Sequence, residues 1–153
     1  MELQPLASPA SAAARYQSGG HTKHRLLYHL VFIPKYRRRV LDGALAARVR
    51  ELFEQACLIN DWQIQELGVQ PDHLHLLIQL PPRQSVSSAV QVLKGGSSRI
   101  LRSEFSDFAE FVWGKSFWAS GFFAESVGQQ QESVMRRYIA RQRKQEPPSP
   151  AEG

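Results

Sequence analysis

A chain of 153 residues, 42% of them hydrophobic, is long enough to bury one real core and is the size of a single domain. Its 19 basic against 14 acidic residues leave a formal net charge of +5, which favours polyanionic partners, nucleic acid first, and says nothing about fold. The single cysteine, Cys57, excludes an intrachain disulfide and a cysteine-based zinc site, and it fits a reducing cytoplasm.

Residues 1–22 are dominated by Ala, Ser, Pro and Gly and read as a disordered arm. Glu2 stands where a signal peptide wants positive charge, and Pro5 and Pro9 interrupt any apolar run. No stretch approaches the ~18 apolar residues that a membrane span needs. "RLLYHLVFI" (25–33) is apolar and aromatic, stops at Pro34, and predicts a central strand; "KYRRRVL" follows as a basic turn. In "LAARVRELFEQACLIN" (45–60), Leu45, Val49, Leu52, Phe53, Ala56 and Ile59 fall at helical spacing and predict one buried stripe. "WQIQELGV" (62–69) alternates as a half-buried strand does, and "HLHLLIQL" (73–80) is the next strand, joined to it by a short Gln-Pro-Asp turn as a hairpin. Pro81 and Pro82 end that strand, Ser85 is a plausible N-cap, and Val86, Val90, Leu93, Ser97 and Ile100 line one face of a helix. Gly95-Gly96 inside that helix costs ~1–2 kcal/mol against alanine, which points to close packing or a close backbone approach. "FWASGFFAESVG" (117–128) predicts a fourth strand and "QESVMRRYIARQRKQ" (131–145) a final helix. The order gives an α+β, ferredoxin-like (RRM-like) fold, a split β-α-β-β-α-β antiparallel sheet with an additional C-terminal helix. Two helices cover one face and the other is left free for a site or a partner. The folded unit is expected over 23–144, with 145–153 a disordered tail.

The chemistry concentrates in "PDHLHLLIQLPP" (71–82). Alternate side chains of a strand share a face, so Leu74, Leu76, Ile78 and Leu80 point to the helices and His73, His75, Leu77 and Gln79 point the other way. Two same-face residues lie about 7 Å apart at the backbone, and their imidazoles can lean together onto one ion. The same pair also reads as two solvated or hydrogen-bonded histidines. A metal reading needs a third ligand. Related motifs are excluded: Leu77 stands where a histidine-triad hydrolase has its third histidine, paired His-x-Ser/Thr motifs are absent, and so is H-E-x-x-H. On the final helix Tyr138 and Gln142 are four apart, hence on one face, among Arg136, Arg137, Arg141, Arg143 and Lys144.

Five stretches in order, "YHLVFIPKYRRRVL", "DHLHLLIQLPP", "LKGGSSR", "FWASGFFAESVG" and "YIARQ", make the chain resemble the single-tyrosine HUH transposases, the small TnpA type of the insertion sequence 200/605 family (transposase IS200-like). The resemblance covers about residues 23–144 and implies a role for each matching position. His73 and His75 match the metal-ligating histidine pair, Tyr138 the nucleophile, and Gln142 the glutamine that completes the metal site. The implied ion is Mg2+ or Mn2+. The implied protein is a homodimer in which the tyrosine helix of one subunit often lies over the histidines of the other. The implied activity is cutting and rejoining of single-stranded or hairpin DNA through a 5'-phosphotyrosine. No small-molecule cofactor or membrane partner is expected.

Lys35, Arg37, Arg38 and Arg39 form a cationic turn, Lys94 and Arg99 flank the glycine pair, and Arg137 and Arg141 lie beside the tyrosine, which makes all eight candidate DNA contacts. Tyr36, Trp118 or Phe122 could stack bases, Trp118 and Phe122 being also candidates for the core. Two departures from the family pattern stand out: Ser120-Gly121-Phe122 replaces an Arg-Gly-Tyr, and Ala124-Glu125-Ser126-Val127 replaces a Val-Ser-Thr-Val. Three rivals remain at this level: a repeat-associated (domesticated) tyrosine transposase, a non-catalytic single-stranded nucleic-acid-binding module, and a relaxase or replication initiator. The aromatic RNP signature that the binding module would carry is absent, and relaxases are usually larger.

Overall fold

The computed structural model describes residues 17–19, 22–24, 26–105 and 116–143. Within the expected arm, Gln17–Gly19 (β1) pairs antiparallel with Thr22–His24 (β2) as a two-stranded ribbon. The rest of the arm, Lys144 and the tail lie outside the described residues.

The main sheet has four antiparallel strands in the order β4-β5-β3-β6, where β3 is Leu26–Phe32, β4 Gln63–Gln70, β5 His73–Leu80 and β6 Phe123–Ser126. With α1 (Gly43–Asn60) after β3 and α2 (Val86–Glu104) after β5, this is the expected split arrangement. Helix α1 turns Leu45, Val49, Leu52, Phe53 and Cys57 inward. Ile59, expected on that stripe, is 81% exposed in the last turn of the helix, beyond the last buried position, Cys57. Helix α2 starts where Ser85 predicts, its hydroxyl accepting from the Ser88 amide at 3.1 Å. Leu74, Leu76, Ile78 and Leu80 join the core under these helices, as the alternation requires.

The fourth strand is shorter than the sequence suggests. Only Phe123–Ser126 pairs with β3, while Trp118 makes an isolated bridge to Pro34. Between those two pairings the segment 118–123 opposes the shorter segment 31–34, and the slack is a turn with Gly121 at φ +80°. Phe117 and Trp118 leave the ladder for the core, Trp118 against Phe32 and Phe53. One face of α2 fixes this detour. The Ser97 hydroxyl accepts from Trp118 Nε1 at 2.8 Å, the Ser98 hydroxyl accepts from the Phe117 amide at 2.8 Å, and Lys94 Nζ donates to the carbonyls of Ala119 and Gly121. The glycine pair takes no part: a Cβ at Gly95 or Gly96 would meet nothing within 4 Å, so the close packing expected there is absent.

The second face of the sheet is not wholly free. Helix α3 (Gln129–Arg143) lies across β4 and β5, and Ile139 packs into a small buried cluster with Leu27, Leu77 and Val127. Polar contacts add to it: Arg136 donates to the backbone and side chain of Gln65, and Gln70 Nε2 donates to the Gln142 carbonyl. Among the described residues no helix is long and apolar enough to cross a membrane.

Candidate functional site

His73 and His75 lie on the α3 side of β5, their ring centroids 4.8 Å apart. The sheet places them because β5 alternates strictly and because its neighbour β3 is in register, Val31 opposite His75. His75 is buried, and burial, with His73 and His29 adding to it, pushes its imidazole down to about 4, so the ring is neutral near pH 7. Each ring has one nitrogen already engaged. His73 Nδ1 is 2.7 Å from Asp72 Oδ1, and His75 Nδ1 is 2.8 Å from His29 Nε2. His29 Nδ1 in turn lies 3.1 Å from Glu125 Oε1. Asp72 also accepts from Arg37 Nε at 3.1 Å. Burial raises the Asp72 carboxyl, but the hydrogen bonds from His73 and Arg37 outweigh it and leave the group below its ordinary range.

Tyr138 stands edge-on to His75 within the same chain, ring centroids 5.4 Å apart and planes at 89°. It is 47% exposed, which leaves the phenol open to a large substrate. One turn on, Gln142 is held at the end of the helix by the Gln70 contact, and Gln70 pairs with His73 across the hairpin. The Gln142 Oε1 atom is buried without a hydrogen-bond partner. A buried amide oxygen left unmatched costs about 1–3 kcal/mol, which is tolerable where a cation supplies the missing partner. Among the described residues no cluster of three or more His, Cys, Asp or Glu is placed to hold a metal. A site here therefore needs an oxygen from another residue type, and the Gln142 amide is the one left over.

The structure distributes the eight candidate cations unevenly. Lys35, Arg37, Arg38 and Arg39 fall on a turn beside the hairpin, where Tyr36 and Arg37 adopt left-handed φ of 64° and 51°. Lys35 and Arg38 lie over the ring of Tyr36, which is 69% exposed, and Arg37 is tied to Asp72. Arg137 and Arg141 are exposed on α3 beside Tyr138. Lys94 is committed to the 119–121 carbonyls, and burial lowers its pKa. Arg99 is exposed on α2, on the other side of the sheet from the histidines. Of the aromatic candidates, Trp118 belongs to the core, whereas Phe122 is 42% exposed under Lys94. Sequence reasoning passed over His29, Asp72 and Glu125. The available signal was an imidazole in the otherwise apolar run of β3 and a carboxylate directly before His73.

Comparison with known proteins agrees with this frame. Residues 22–142 match the family model described as "Transposase IS200 like". The chain is 34% identical over 126 residues to the transposase for insertion sequence element IS200 of Salmonella typhimurium strain LT2, covering 82% of each protein. It is 29% identical over 123 residues to the ISDra2 transposase TnpA of Deinococcus radiodurans, covering 80% of this chain and 88% of that one. Among solved structures, a crystal structure of a candidate transposase from Deinococcus radiodurans R1 superposes with a TM-score of 0.69 at 28% identity, covering 82% of this chain and 97% of the other. A repeat-associated tyrosine transposase bound to a REP hairpin shares the fold, with a TM-score of 0.56 at 16% identity over 74% and 63% of the two chains. Fold and neighbours define the class, a transposase on a four-stranded antiparallel sheet. The chain belongs to the IS200-like transposase family.

Proposed function

We propose that the chain cuts and rejoins single-stranded DNA at insertion-sequence ends, with Tyr138 as the nucleophile and a divalent ion held by His73, His75 and Gln142. The carrying observation is the placement of the Tyr138 ring 5.4 Å from that of His75, one helical turn from an unmatched buried amide oxygen. Two imidazoles and an amide oxygen suit Mn2+ better than the harder Mg2+. When bound, the ion would polarise the scissile phosphate and offset charge in the transition state.

A free phenol, of pKa ~10, is only about 0.1% ionised at pH 7, so attack of a tyrosine on phosphorus needs such help. Tyr138 Oη gives up its proton and bonds to phosphorus, the bond to the 3' oxygen breaks, and that oxygen takes up a proton and leaves as a hydroxyl, so no proton is gained or lost overall. The 5' phosphate stays on the tyrosine. A second 3' hydroxyl reverses the step and joins new ends without ATP, because the phosphotyrosine conserves the bond energy. Arg137 and Arg141 on α3, with Lys35, Arg38 and Arg39 on the turn, would hold the phosphates of the strand, and Tyr36 offers an exposed ring to a base. The outer edge of β6, with Phe123 51% exposed, suits pairing with a second copy in a homodimer.

The test is incubation of the chain with Mn2+ and hairpin-bearing single strands from its own element's ends. A covalent protein–DNA adduct that disappears in Tyr138→Phe and on chelation supports the reading. Tight binding of the strands with no adduct at any metal concentration would replace it with a binding module.

A further inference from the structure

The imidazole row Glu125–His29–His75 goes beyond the ligand set and rests on the metal reading above. His29 and His75 are coplanar within 7°, and their nearest nitrogens are 2.8 Å apart. At a centroid separation of 5.0 Å this is two rings joined end to end in one plane, not two rings stacked face to face. A hydrogen bond of that kind carries one proton, and the Glu125 carboxylate decides on which side it sits. An ionised carboxylate only accepts, so the His29 nitrogen facing it, Nδ1, must bear a hydrogen. With that hydrogen its only one, His29 keeps a lone pair at Nε2, and the proton in the 2.8 Å bond belongs to His75 Nδ1. That leaves His75 Nε2 unprotonated, the form a metal requires.

We infer that Glu125 and His29 are positioning residues that fix the tautomer and ring plane of His75, so that its Nε2 lone pair is presented beside Tyr138. Asp72 does the same for His73 from the adjacent position, since its carboxylate faces Nδ1. Being half-exposed on the edge strand β6, Glu125 can be replaced without opening the core.

The experiment uses the full chain labelled with 15N-histidine, free of metal, and reads the two nitrogens of His75 by long-range 1H–15N correlation. The expected result is a protonated Nδ1 and an unprotonated Nε2 in the wild type and in Glu125→Gln, whose amide oxygen still accepts from His29. In Glu125→Leu and His29→Phe the ring should move toward the Nε2–H form that free imidazole prefers in water. Calorimetric titration with Mn2+ should show about a 10–100-fold weaker affinity for His29→Phe, a smaller loss for Glu125→Leu, and recovery in Glu125→Gln. Hairpin DNA binding without metal should stay at the wild-type level in all three. A wild type that binds Mn2+ but carries its hydrogen on His75 Nε2, or variants that bind Mn2+ like the wild type, overturns the positioning role alone. A wild type with the expected tautomer and no Mn2+ affinity overturns the metal reading, and the role with it.

Discussion

Replacing Ile139 by alanine tests what keeps the tyrosine helix on the sheet. Ile139 is fully buried and its cluster is small: Leu27, Leu77 and Val127, with Met135 at the edge. Ile139→Ala deletes three carbons, worth roughly 0.8 kcal/mol each in transfer, and a cavity term comes on top. A cluster at the margin can collapse partly, so the expected loss is ~2–3 kcal/mol, in the lower part of the range for such truncations. Urea unfolding followed by tryptophan fluorescence should show the midpoint falling by about 1–2 M. Val134→Ala on the same helix, where the side chain is 60% exposed, should stay within about 0.5 kcal/mol of wild type. Because Tyr138 is the neighbour of Ile139, undocking α3 also carries the phenol off His75. Hydrogen exchange should therefore quicken in α3 before the sheet, and adduct formation should fall in parallel. A variant as stable as wild type, with unchanged exchange in α3, would refute the claim that this apolar contact docks the helix.

Ser97→Ala strips the buried Trp118 Nε1 of its acceptor and should cost ~1–3 kcal/mol in urea unfolding. Gly95→Ala should stabilise by up to ~1 kcal/mol, since an added Cβ meets nothing within 4 Å, and a lowered thermal midpoint would contradict this. The His75 imidazole, at about 4 in the fold against an ordinary 6.5, takes up its proton first in the unfolded chain; metal-free stability should therefore decline as pH falls from about 6.5 toward 4, by up to ~3 kcal/mol, and His75→Gln should flatten that slope. Burial pushes the Cys57 thiol up to about 12, so a thiol reagent such as dithiobisnitrobenzoate should label it only at the rate of unfolding.

How far the sequence could be read depends on whether the deciding interaction is local. Strict alternation in residues 73–80 sorts His73, His75 and Leu77 from Leu74, Leu76 and Ile78, because a strand has only two faces. Ser85 could be read because a cap involves its own next turn. The departures all involve partners distant in the chain. Trp118 leaves the strand because Ser97 and Ser98, some twenty residues earlier, hold its indole and the neighbouring amide. The placement of α3 over the second face depends on Ile139 meeting Leu27 and Leu77. His29 acquires meaning only when β5 and β6 bring His75 and Glu125 to its two nitrogens. The glycine pair misled for another reason: composition shows that a Cβ is missing, and only coordinates show that the space beside it is empty.

The polar contacts of α3 serve placement more than stability. Glu132 is 2% exposed and pairs with Arg136 at 2.8 Å, and Arg136 also reaches the backbone and side chain of Gln65 on β4. Burying such a pair gains little over an apolar contact of the same size, because desolvating the two charges offsets their attraction. An apolar cluster alone, however, would tolerate a helix slipped by a turn, which moves every side chain by about 5.4 Å along the axis. That step is as large as the distance between the Tyr138 and His75 rings, so it would remove the phenol from the histidine pair. Gln65 and Gln70 sit five residues apart on one strand and meet Arg136 and the carbonyl of Gln142, six apart on the helix, so they bracket Tyr138 from both sides. With both ends pinned to β4, and β4 paired with the strand that carries the histidines, the helix has one position in which the contacts to Gln65 and Gln70 both form. In that position the phenol faces His75.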